Sequence, residues 1–291
     1  MLVDIATVYY RAYFSLPDSM RAPDGRQINA VRGTLDALLL FVDQYQPKHL
    51  VTAWDFAWRP QWRVDLVDTY KTARVASEDE EQMPDTLSDQ VDLLRAALEE
   101  LGVPCVGVDD HEADDVVAQY ARSANDEVFV VSGDRDLFQL VDDERAVKVL
   151  YLGTGVAKHT LVQGEYIQER FGIHYSQYGE FSVLRGDASD GLPGVKGVGE
   201  KTAAALLSRF GTIAGIVQAA RDGSPDIKPR IAGLILEHED YLQKASEIVL
   251  LNREIEVPAL TTSWRSASDS ATLESIGLKR YAEGWQSVVD Y

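Results

Sequence analysis

Short apolar runs alternate with amphipathic stretches through the first half of the chain, and this alternation predicts the order of its elements. The apolar runs predict buried strands at residues 2–4, 49–55, 103–108, 128–132 and 147–152. Apolar residues at helical spacing between them predict helices near 29–42, 87–101, 112–121 and 134–140, with Asn29 as the cap of the first. Strands that alternate with helices predict an α/β fold with a parallel-containing wound sheet flanked by helices.

The pattern becomes helical after about residue 160. Helices are predicted near 161–171, 178–184, 201–210 and 231–250. The stretch of residues 74–84 is polar and acidic, and two interpretations of it stay open, a mobile loop or a solvated helix end.

Three acidic sets stand where strands end or helices begin. In parallel wound sheets, ligands bind beyond the carboxyl ends of the strands, so these sets are expected to converge. Carboxylates that converge repel one another, and they stay ionised together only when cations lie among them. The pattern therefore predicts a hard-metal site and a substrate that carries phosphates. The sets are Glu112, Asp114 and Asp115, then Asp134 and Asp136, then Asp187 and Asp190, joined by Asp4 and Asp55 after earlier strands.

Each acidic set also has an ordinary structural interpretation. Glu112, Asp114 and Asp115 are typical of acids that cap a helix N-terminus. A capping residue in a strand-to-helix turn would explain Asp134, although it would not explain Asp136. The acids near residue 190 lie among glycine and proline, which are typical of loops.

A glycine-rich stretch follows at residues 193–203. It resembles a phosphate-binding P-loop, but Glu200 separates Gly199 from Lys201, where the P-loop motif needs Gly-Lys-Thr to be contiguous. A helix-hairpin-helix turn fits better, because its glycines let backbone N–H groups approach a DNA phosphate at the start of the next helix. A tight turn between packed helices is the alternative.

Basic and aromatic residues are interleaved between residues 54 and 74. This mixture suits a phosphate backbone beside an unstacked base, whereas tryptophans that face the core are the alternative. The residues are Trp54, Trp58, Arg59, Trp62, Arg63, Tyr70, Lys71 and Arg74.

The net charge of −19 argues against nucleic acid as a partner, because backbone neutralisation supplies much of the affinity for DNA. Bound divalent ions would offset much of the charge of the nine acids named above. The single cysteine cannot form an internal disulfide, and no apolar run is long enough to span a membrane. A cytoplasmic protein without membrane association is expected.

Taken together and in this order, the motifs resemble the bacterial 5′-3′ exonuclease and flap endonuclease family, including the N-terminal nuclease domain of bacterial DNA polymerase I. The similarity runs from Leu2 to about Val257. It is carried by Val3-Asp4 with Tyr10-Arg11-Ala12, Asp55, Tyr70-Lys71 with Arg74, Glu112-Ala113-Asp114-Asp115, residues 132–137 with Gln139-Leu140, Gly186-Asp187 with Ser189-Asp190, and residues 193–203.

The resemblance implies a PIN-like nuclease core at 1–172, with a helical gateway around 56–100. A helical DNA-binding region follows at 173–291, with the helix-hairpin-helix turn at 189–205. Lys71 and Arg74 would contact the scissile phosphate, and Tyr70 would stack near the base beside the cut. The first metal site would be Asp4, Asp55, Glu112, Asp114, Asp115 and Asp134; the second would be Asp134, Asp136, Asp187 and Asp190. DNA would be held by Arg11, Gly194, Lys196, Gly197, Gly199, Lys201 and Thr202.

The implied reaction is two-metal phosphodiester hydrolysis in DNA replication and repair. The expected cofactors are two or more Mg²⁺ or Mn²⁺ ions, with K⁺ at the hairpin. The expected substrate is branched or 5′-flapped DNA, with RNA–DNA hybrid as an alternative, and a bacterial, monomeric enzyme is expected. The chain departs from the family at Ile5, where glycine is usual, and at Gly191, where asparagine is usual. A non-catalytic branched-DNA-binding protein and a metal-dependent phosphatase are the rival interpretations.

Overall fold

The computed structural model describes residues 1–77, 80–260 and 270–289, and a six-stranded sheet lies at its centre. Five strands run parallel and the last pairs antiparallel with its neighbour. A separate two-stranded hairpin lies outside this sheet. The strands are β1 (Leu2–Asp4), β2 (Val51–Ala53), β3 (Val75–Ser77), β4 (Glu80–Glu81), β5 (Cys105–Val106), β6 (Val128–Ser132), β7 (Val147–Tyr151) and β8 (Thr160–Val162).

Thirteen α-helices are described, together with 3-10 turns at Thr72–Arg74, Asp136–Leu140 and Tyr175–Gln177. The α-helices are α1 (Ile5–Ser15), α2 (Asn29–Tyr45), α3 (Gln61–Leu66), α4 (Asp85–Glu100), α5 (Ala113–Ser123), α6 (Gly164–Phe171), α7 (Tyr178–Arg185), α8 (Glu200–Phe210), α9 (Ile213–Arg221), α10 (Pro229–Glu237), α11 (Glu239–Val249), α12 (Ala271–Ser275) and α13 (Lys279–Val289).

The strand order is β5-β2-β1-β6-β7-β8, which confirms the predicted parallel-containing α/β sheet. The chain adds strands on one side of β1 and then returns to add β6 on the other side. The strand order therefore reverses between β1 and β6. In doubly wound sheets, the crevice for a ligand opens at such a reversal.

Alternate side chains of the central strands enter two separate apolar cores. Leu2 and Val130 pack on one face with α5 and the helices that follow, whereas Val3 and Val131 pack on the other face with α1, α2 and α4. Because both faces are buried, these strands are continuously apolar, which is why the pattern predicted them well.

The last two helices of the predicted helical DNA-binding region, residues 173–291, pack apart from the helices before them. Leu273 and Trp285 are buried in the same core as α2 and α4. Tyr281 Oη donates to Asp36 Oδ1 (2.7 Å), and the N–H of Thr272 donates to Glu100 (3.0 Å). Among the described helices after residue 172, α7 to α11 therefore form the helical region next to the predicted nuclease core. The boundary at residue 172 stays a prediction.

The helical gateway around 56–100 stays a prediction. The described residues of this range contain the α-helices α3 and α4, and the strands β3 and β4 pair between them. In the acidic stretch, Val75–Ser77 and Glu80–Glu81 are paired strands, and Pro84 caps α4. Glu78 and Asp79 lie outside the described residues.

Smaller differences have local causes. Asn29 is the first residue of α2 and not its cap, because its amide donates to the carbonyls of Tyr13 (2.8 Å) and Leu16 (3.2 Å). The helix predicted at 231–250 is divided at His238 into α10 and α11. The sequence pattern missed α1, α9 and the edge strand β8.

Within the described residues, no single helix is long and apolar enough to cross a membrane. Among the described helices, only α8 and α9 taken together are long and apolar enough, and the two are bent by 83° relative to each other.

Candidate active site

The acids after β1 and β6 meet at the reversal of the strand order. Asp4 is the last residue of β1, and Asp134 follows β6 by two residues. Ser132 lies between them: its hydroxyl donates to Asp4 Oδ2 (2.7 Å) and accepts the N–H of Asp134 (2.9 Å). Thr7, one turn into α1, donates a second hydrogen bond to Asp4.

A cleft of about 150 Å³ opens over these strand ends, and it gathers most of the first predicted acidic set. Glu112 immediately precedes α5, and Asp55 Oδ1 accepts the N–H of Ala113, the first residue of that helix (2.8 Å). The lining includes Asp4, Asp55, Glu112, Asp114 and Asp134, together with the cations Lys71 and Arg74.

Three acids of this cleft hold their protons more tightly than free carboxyls do. Burial raises the pKa of Asp55 to about 7, and the charges of Glu112 and Asp4 add to the effect. Burial also raises the pKa of Asp4, and burial together with Asp134, Asp4 and Glu112 raises that of Asp114 well above its usual value. The crowding that the sequence predicted is therefore present.

Glu112 behaves in the opposite way because cations surround it. Burial disfavours its charge, but Lys71 and Arg63 outweigh burial and lower its pKa. Arg63 Nη1 lies 2.9 Å from Glu112 Oε1, Tyr70 Oη donates to the same oxygen (2.8 Å), and Lys71 Nζ pairs with Glu112 Oε2.

The structure does not bring Asp115 or the ring of Tyr70 into the cleft. Asp115 pairs with Arg63 Nη2 (2.8 Å) and accepts the N–H of Glu112 (3.2 Å), as the helix-capping alternative predicted. Tyr70 is 4% exposed and its hydroxyl donates to Glu112, so the predicted stacking on a base stays a prediction that requires the ring to move. Both residues form hydrogen bonds with Glu112 and do not line the cleft themselves.

Two acids of the second predicted metal site, Asp136 and Asp190, line a small cavity of about 20 Å³ together with Glu112 and Asp114. Asp134 and Asp187 do not line it. Burial and the charges of Asp134, Asp190 and Asp187 raise the pKa of Asp136 well above its usual value. Within the described part of the chain, the buried Oδ1 atom of Asp136 has no hydrogen-bond partner. A buried acceptor in this condition is costly, and an ion or water bound beside it would satisfy it.

Asp187 and Asp190 lie in the turn after α7. Asp187 Oδ1 accepts the N–H (2.8 Å) and the hydroxyl (2.5 Å) of Ser189, so these bonds offset burial and lower its pKa. Asp190 Oδ1 pairs with Arg74 Nη2 (2.6 Å). Burial raises the pKa of Asp190, and Lys71 and Arg74 oppose that rise.

Lys71 is held in an unusual backbone conformation. Its φ of 50° and ψ of 20° are left-handed, which costs a non-glycine residue about 1–3 kcal/mol and persists only where the surroundings fix it. The side chain is buried, and its ammonium contacts Glu112 and the Trp58 carbonyl (3.3 Å). Glu112 and Asp190 outweigh burial and raise the pKa of Lys71, so it stays a cation.

The acids converge without forming a finished coordination shell. Among the residues that the structure describes, no three His, Cys, Asp or Glu side chains are placed to hold a metal ion as they stand. The oxygens are turned instead toward hydroxyls, backbone N–H groups and the cations Lys71, Arg63 and Arg74.

The glycine-rich stretch forms a turn between α7 and α8, which both the helix-hairpin-helix hypothesis and the alternative of a tight turn between packed helices predicted. Gly194 and Gly197 have positive φ values of 66° and 88°, and Val195 and Val198 anchor the turn in the core. Lys196, Gly199 and Lys201 are exposed at the start of α8, and no atom lies within 4 Å of where a Gly199 Cβ would be. Thr202 N–H bonds to the Gly199 carbonyl (3.0 Å).

The remaining predicted residues divide between surface and core. Arg11 lines an open cavity of about 430 Å³ with Tyr10 and Phe14, beside Asp134. Trp54 is buried, as the core alternative predicted. Trp62 is half-buried, and the Arg253 guanidinium lies 3.8 Å from its ring centroid.

Sequence reasoning missed the partners of the acids. The sequence pattern marks Arg63 only as a basic residue among aromatics, yet Arg63 is 2% exposed and contacts two acids. Gln139 was also missed as a link: its amide joins the carbonyls of Asp136 (2.9 Å) and Val249 (3.0 Å). No signal in a single sequence marks a basic or amide side chain as buried.

Two family models together match almost the whole chain. One is described as 5'-3' exonuclease, N-terminal resolvase-like domain, and matches residues 1–172. The other is described as 5'-3' exonuclease, C-terminal SAM fold, and matches residues 173–271.

Similar proteins agree with these models. A 5'-3' exonuclease of Streptomyces coelicolor is 45% identical over 96% of this chain and 95% of its own length. One of Mycobacterium tuberculosis is 42% identical over 91% of this chain and 87% of its own length. A DNA polymerase I of Mycobacterium bovis is 36% identical over 75% of this chain, which corresponds to 24% of the polymerase.

Solved structures share the fold at low identity. The T5 D15 protein co-crystallised with metal ions has a TM-score of 0.66 at 18% identity and covers 99% of this chain and 98% of its own. Flap endonuclease-1 from Methanococcus jannaschii has a TM-score of 0.59 at 15% identity, over 100% of this chain and 92% of its own. These likenesses extend the fold comparison to phage and archaeal proteins.

Proposed function

Because this chain belongs to the 5'-3' exonuclease family, a family of nucleases, we propose that it is a structure-specific 5′ nuclease that hydrolyses phosphodiester bonds in 5′-flapped or branched DNA. The observation that carries the proposal is the convergence of Asp4, Asp55, Glu112, Asp114 and Asp134 in one cleft beside Lys71 and Arg74. Replication and repair are the processes that supply such DNA ends.

The chemistry of the acids fits divalent cations. The donors are all oxygens, a set that suits Mg²⁺ or Mn²⁺ better than zinc. The unpartnered buried oxygen of Asp136 and the raised pKa of Asp55 and Asp114 both mark carboxyls that a cation would stabilise. Asp4, Asp55, Glu112, Asp114 and Asp134 would hold one ion, with Asp115 reaching it only if Arg63 releases it. Asp134, Asp136, Asp187 and Asp190 would hold the other.

When bound, such ions supply Lewis acidity toward the phosphate and a nucleophile at neutral pH. The chain's own residues supply the rest. Lys71 keeps its proton because its pKa is raised, so its charge is available to the negative charge that develops on the phosphate. Arg74, 39% exposed in its side chain, can reach the same phosphate from the open side of the cleft.

Grip on the duplex is assigned to the hairpin between α7 and α8. Exposed Lys196 and Lys201 and the N–H groups at the start of α8 suit a DNA phosphate, and such contacts position the backbone without reading bases. Gly194, Gly197, Gly199 and Thr202 shape this turn. A K⁺ ion held by backbone carbonyls here, RNA–DNA hybrid as a second substrate, cytoplasmic location and a monomeric state stay predictions.

The two rivals make different use of the same residues. A binding protein that cuts nothing gains no affinity from a cleft of acids beside a phosphate backbone. A phosphatase for small esters would use the acids but not the exposed hairpin. The intact acidic set and the hairpin together favour the nuclease.

The deciding experiment uses a DNA duplex with a labelled 5′ flap, incubated with the protein in Mn²⁺, in Mg²⁺ and in EDTA. A nuclease releases a labelled fragment with either ion and none in EDTA, and an Asp134→Asn protein releases none. A binder shifts the duplex in a gel without cutting it. A phosphatase leaves the flap intact but hydrolyses p-nitrophenyl phosphate, and either of these outcomes would overturn the proposal.

A further inference from the structure

Lys71 owes its left-handed backbone to contacts with the turn that carries Asp190. Its N–H donates to the Asp190 carbonyl (2.9 Å), and the Thr69 hydroxyl donates to the Gly191 carbonyl (2.7 Å). Arg74 adds its ion pair with the Asp190 carboxylate (2.6 Å). These three contacts fasten residues 69–74 to residues 190–191. We call the three contacts together the clamp.

The opposite side of the segment is held as well. Arg59 Nε donates to the Tyr70 carbonyl (2.6 Å), and the Tyr70 hydroxyl donates to Glu112 (2.8 Å). With neighbours on both sides, the peptide units around Lys71 have little freedom to relax to a right-handed conformation. This explains how a lysine keeps a positive φ of 50° at this position.

The clamp closes only because residue 191 is glycine. Gly191 has a φ of 71°, and a Cβ there would overlap the Thr69 carbonyl oxygen and lie 2.9 Å from its carbonyl carbon. That neighbour is backbone, so it could yield only if the segment of residues 69–74 moved.

We propose that Gly191 is a positioning residue for Lys71: by letting Thr69 approach, it fixes the backbone of residue 71 so that the ammonium lies in the acidic cleft. The proposal rests on the proposed function, because it assigns the consequence to cleavage. This role would link the two predicted metal sites. Gly191 directly follows Asp190 of the second site, whereas Lys71 contacts Glu112 of the first.

A glycine with positive φ in a turn need mean no more than a backbone requirement. Gly172 separates the two interpretations. It ends α6 with a φ of 73°, almost the same as that of Gly191, but no atom lies within 4 Å of where its Cβ would be. Alanine therefore meets an unfavourable positive φ at both positions, and of the two it displaces a neighbour only at Gly191.

The experiment measures single-turnover cleavage of the 5′-flap duplex by Gly191→Ala, Gly172→Ala and wild-type protein at saturating Mn²⁺. Gly191→Ala is expected to be slower by about 10- to 100-fold, because a shift of about 1 Å at a reacting group can cost that much. Gly172→Ala is expected to stay within about 2-fold of wild type. Thermal melting should show a loss of stability for both variants, and a larger one for Gly191→Ala because it also displaces the Thr69 backbone. Equal rates for the two variants would overturn the proposal.

A double-mutant cycle separates positioning of Lys71 from general damage. If Gly191 acts through Lys71, then Gly191→Ala slows Lys71→Ala protein by no more than about 2-fold, because the positioned group is already gone. If the two losses multiply, Gly191 does not act through Lys71 and the proposal fails.

Two further measurements keep this conclusion independent of folding and of the proposed function. If Gly191→Ala does not fold, Thr69→Val can replace it, because valine keeps the shape of threonine and removes one hydrogen bond of the clamp. Thr69→Val is expected to cut more slowly with unchanged affinity for the duplex. An unchanged cleavage rate would overturn the proposal. If wild-type protein fails to cut the flap at all, the proposed function fails first.

Discussion

The acidic cleft and the hairpin between α7 and α8 are both assigned to DNA phosphates, yet they are built in opposite ways. In the cleft, Glu112 and Lys71 are buried, and each has partners that fix it. In the hairpin, Lys196 and Lys201 are exposed, and neither forms an ion pair within the described residues.

The difference follows from what each region has to do. Bond cleavage requires reacting groups to be held within a fraction of an ångström, and burial with several partners achieves this. Affinity for a duplex comes from many weak contacts to the DNA backbone. Exposed charges and N–H groups matter more for such binding than fixed geometry does. Substitutions in the cleft should therefore change the rate, whereas substitutions in the hairpin should change affinity and its dependence on salt.

Asp134→Asn should reduce cleavage more than any other substitution proposed here. Asp134 is a charged neighbour of both Asp114 and Asp136, so it belongs to both acidic sets. We expect cleavage of the 5′-flap duplex to fall by about 1,000-fold or more, because loss of a shared ligand impairs both cations. Affinity for the duplex, measured by fluorescence anisotropy, should change by less than about 3-fold, since the hairpin is intact.

Asp142→Asn is the matched control. Asp142 also accepts backbone N–H groups in a turn, from Glu144 (3.0 Å) and Arg145 (3.1 Å), but it lies outside the cleft. Its cleavage rate should equal that of wild type. Full activity in Asp134→Asn would remove this residue from the site.

Lys71→Met should have the next largest effect. Methionine keeps most of the side-chain length and removes the charge, so the single-turnover rate should fall by about 100-fold through lost electrostatic stabilisation. Lys148→Met, which breaks a half-buried pair with Glu127 (2.5 Å) on β7, should leave the rate unchanged. A Lys71→Met protein that cuts at the wild-type rate would show that this lysine has no part in the reaction.

Lys196→Gln and Lys201→Gln sharpen the comparison from the other side. Each should reduce the slope of log affinity against log salt by about 1, because each removes one phosphate contact. Cleavage at saturating protein should stay within about 2-fold of wild type. Lys244→Gln is the control, since Lys244 is already paired with Asp240 (2.9 Å) and should not change the slope.

The sequence predicts the cleft better than it predicts what supports the cleft. Asp4 and Asp134 could be placed together because parallel strands end at one edge of a sheet. That β1 and β6 are neighbours could not be predicted, because strand order depends on pairing between distant residues. The burial of Arg63 was equally hidden, since an arginine among aromatics has the same pattern whether it faces solvent or two buried acids.

Local structure could likewise be predicted where a residue type marks it. The glycines between α7 and α8 predicted a turn because positive φ angles favour glycine, and Gly194 and Gly197 have such angles. The β3–β4 hairpin was not predicted, because so short a strand pair leaves almost no period in the sequence. The return of α12 to α4 depends on Ser270 and Thr272 contacting Glu100, which no local pattern indicates.

The smallest expected effect compares two acids inside the cleft. The pKa of Asp55 is raised from 3.8 to about 7, so the folded protein binds that proton more tightly than the unfolded chain does. The ionised form therefore destabilises the fold above about pH 7, and the penalty fades as pH falls toward 3.8. The lowered pKa of Glu112 has the opposite sign: its charge stabilises the fold above 4.5, and that contribution is lost as pH falls through the folded pKa.

In EDTA at pH 8, Asp55→Asn should raise the melting temperature by about 3 °C or more, with a smaller gain at pH 5. The amide oxygen of asparagine can still accept the Ala113 N–H, so only the charge is removed. Glu112→Gln should lower the melting temperature at pH 8, because Arg63 and Lys71 are left buried without their shared carboxylate. Shifts of the same sign would mean that the cations beside Glu112 do not distinguish the two acids, and the cleft would then be uniformly repulsive in the absence of divalent ions.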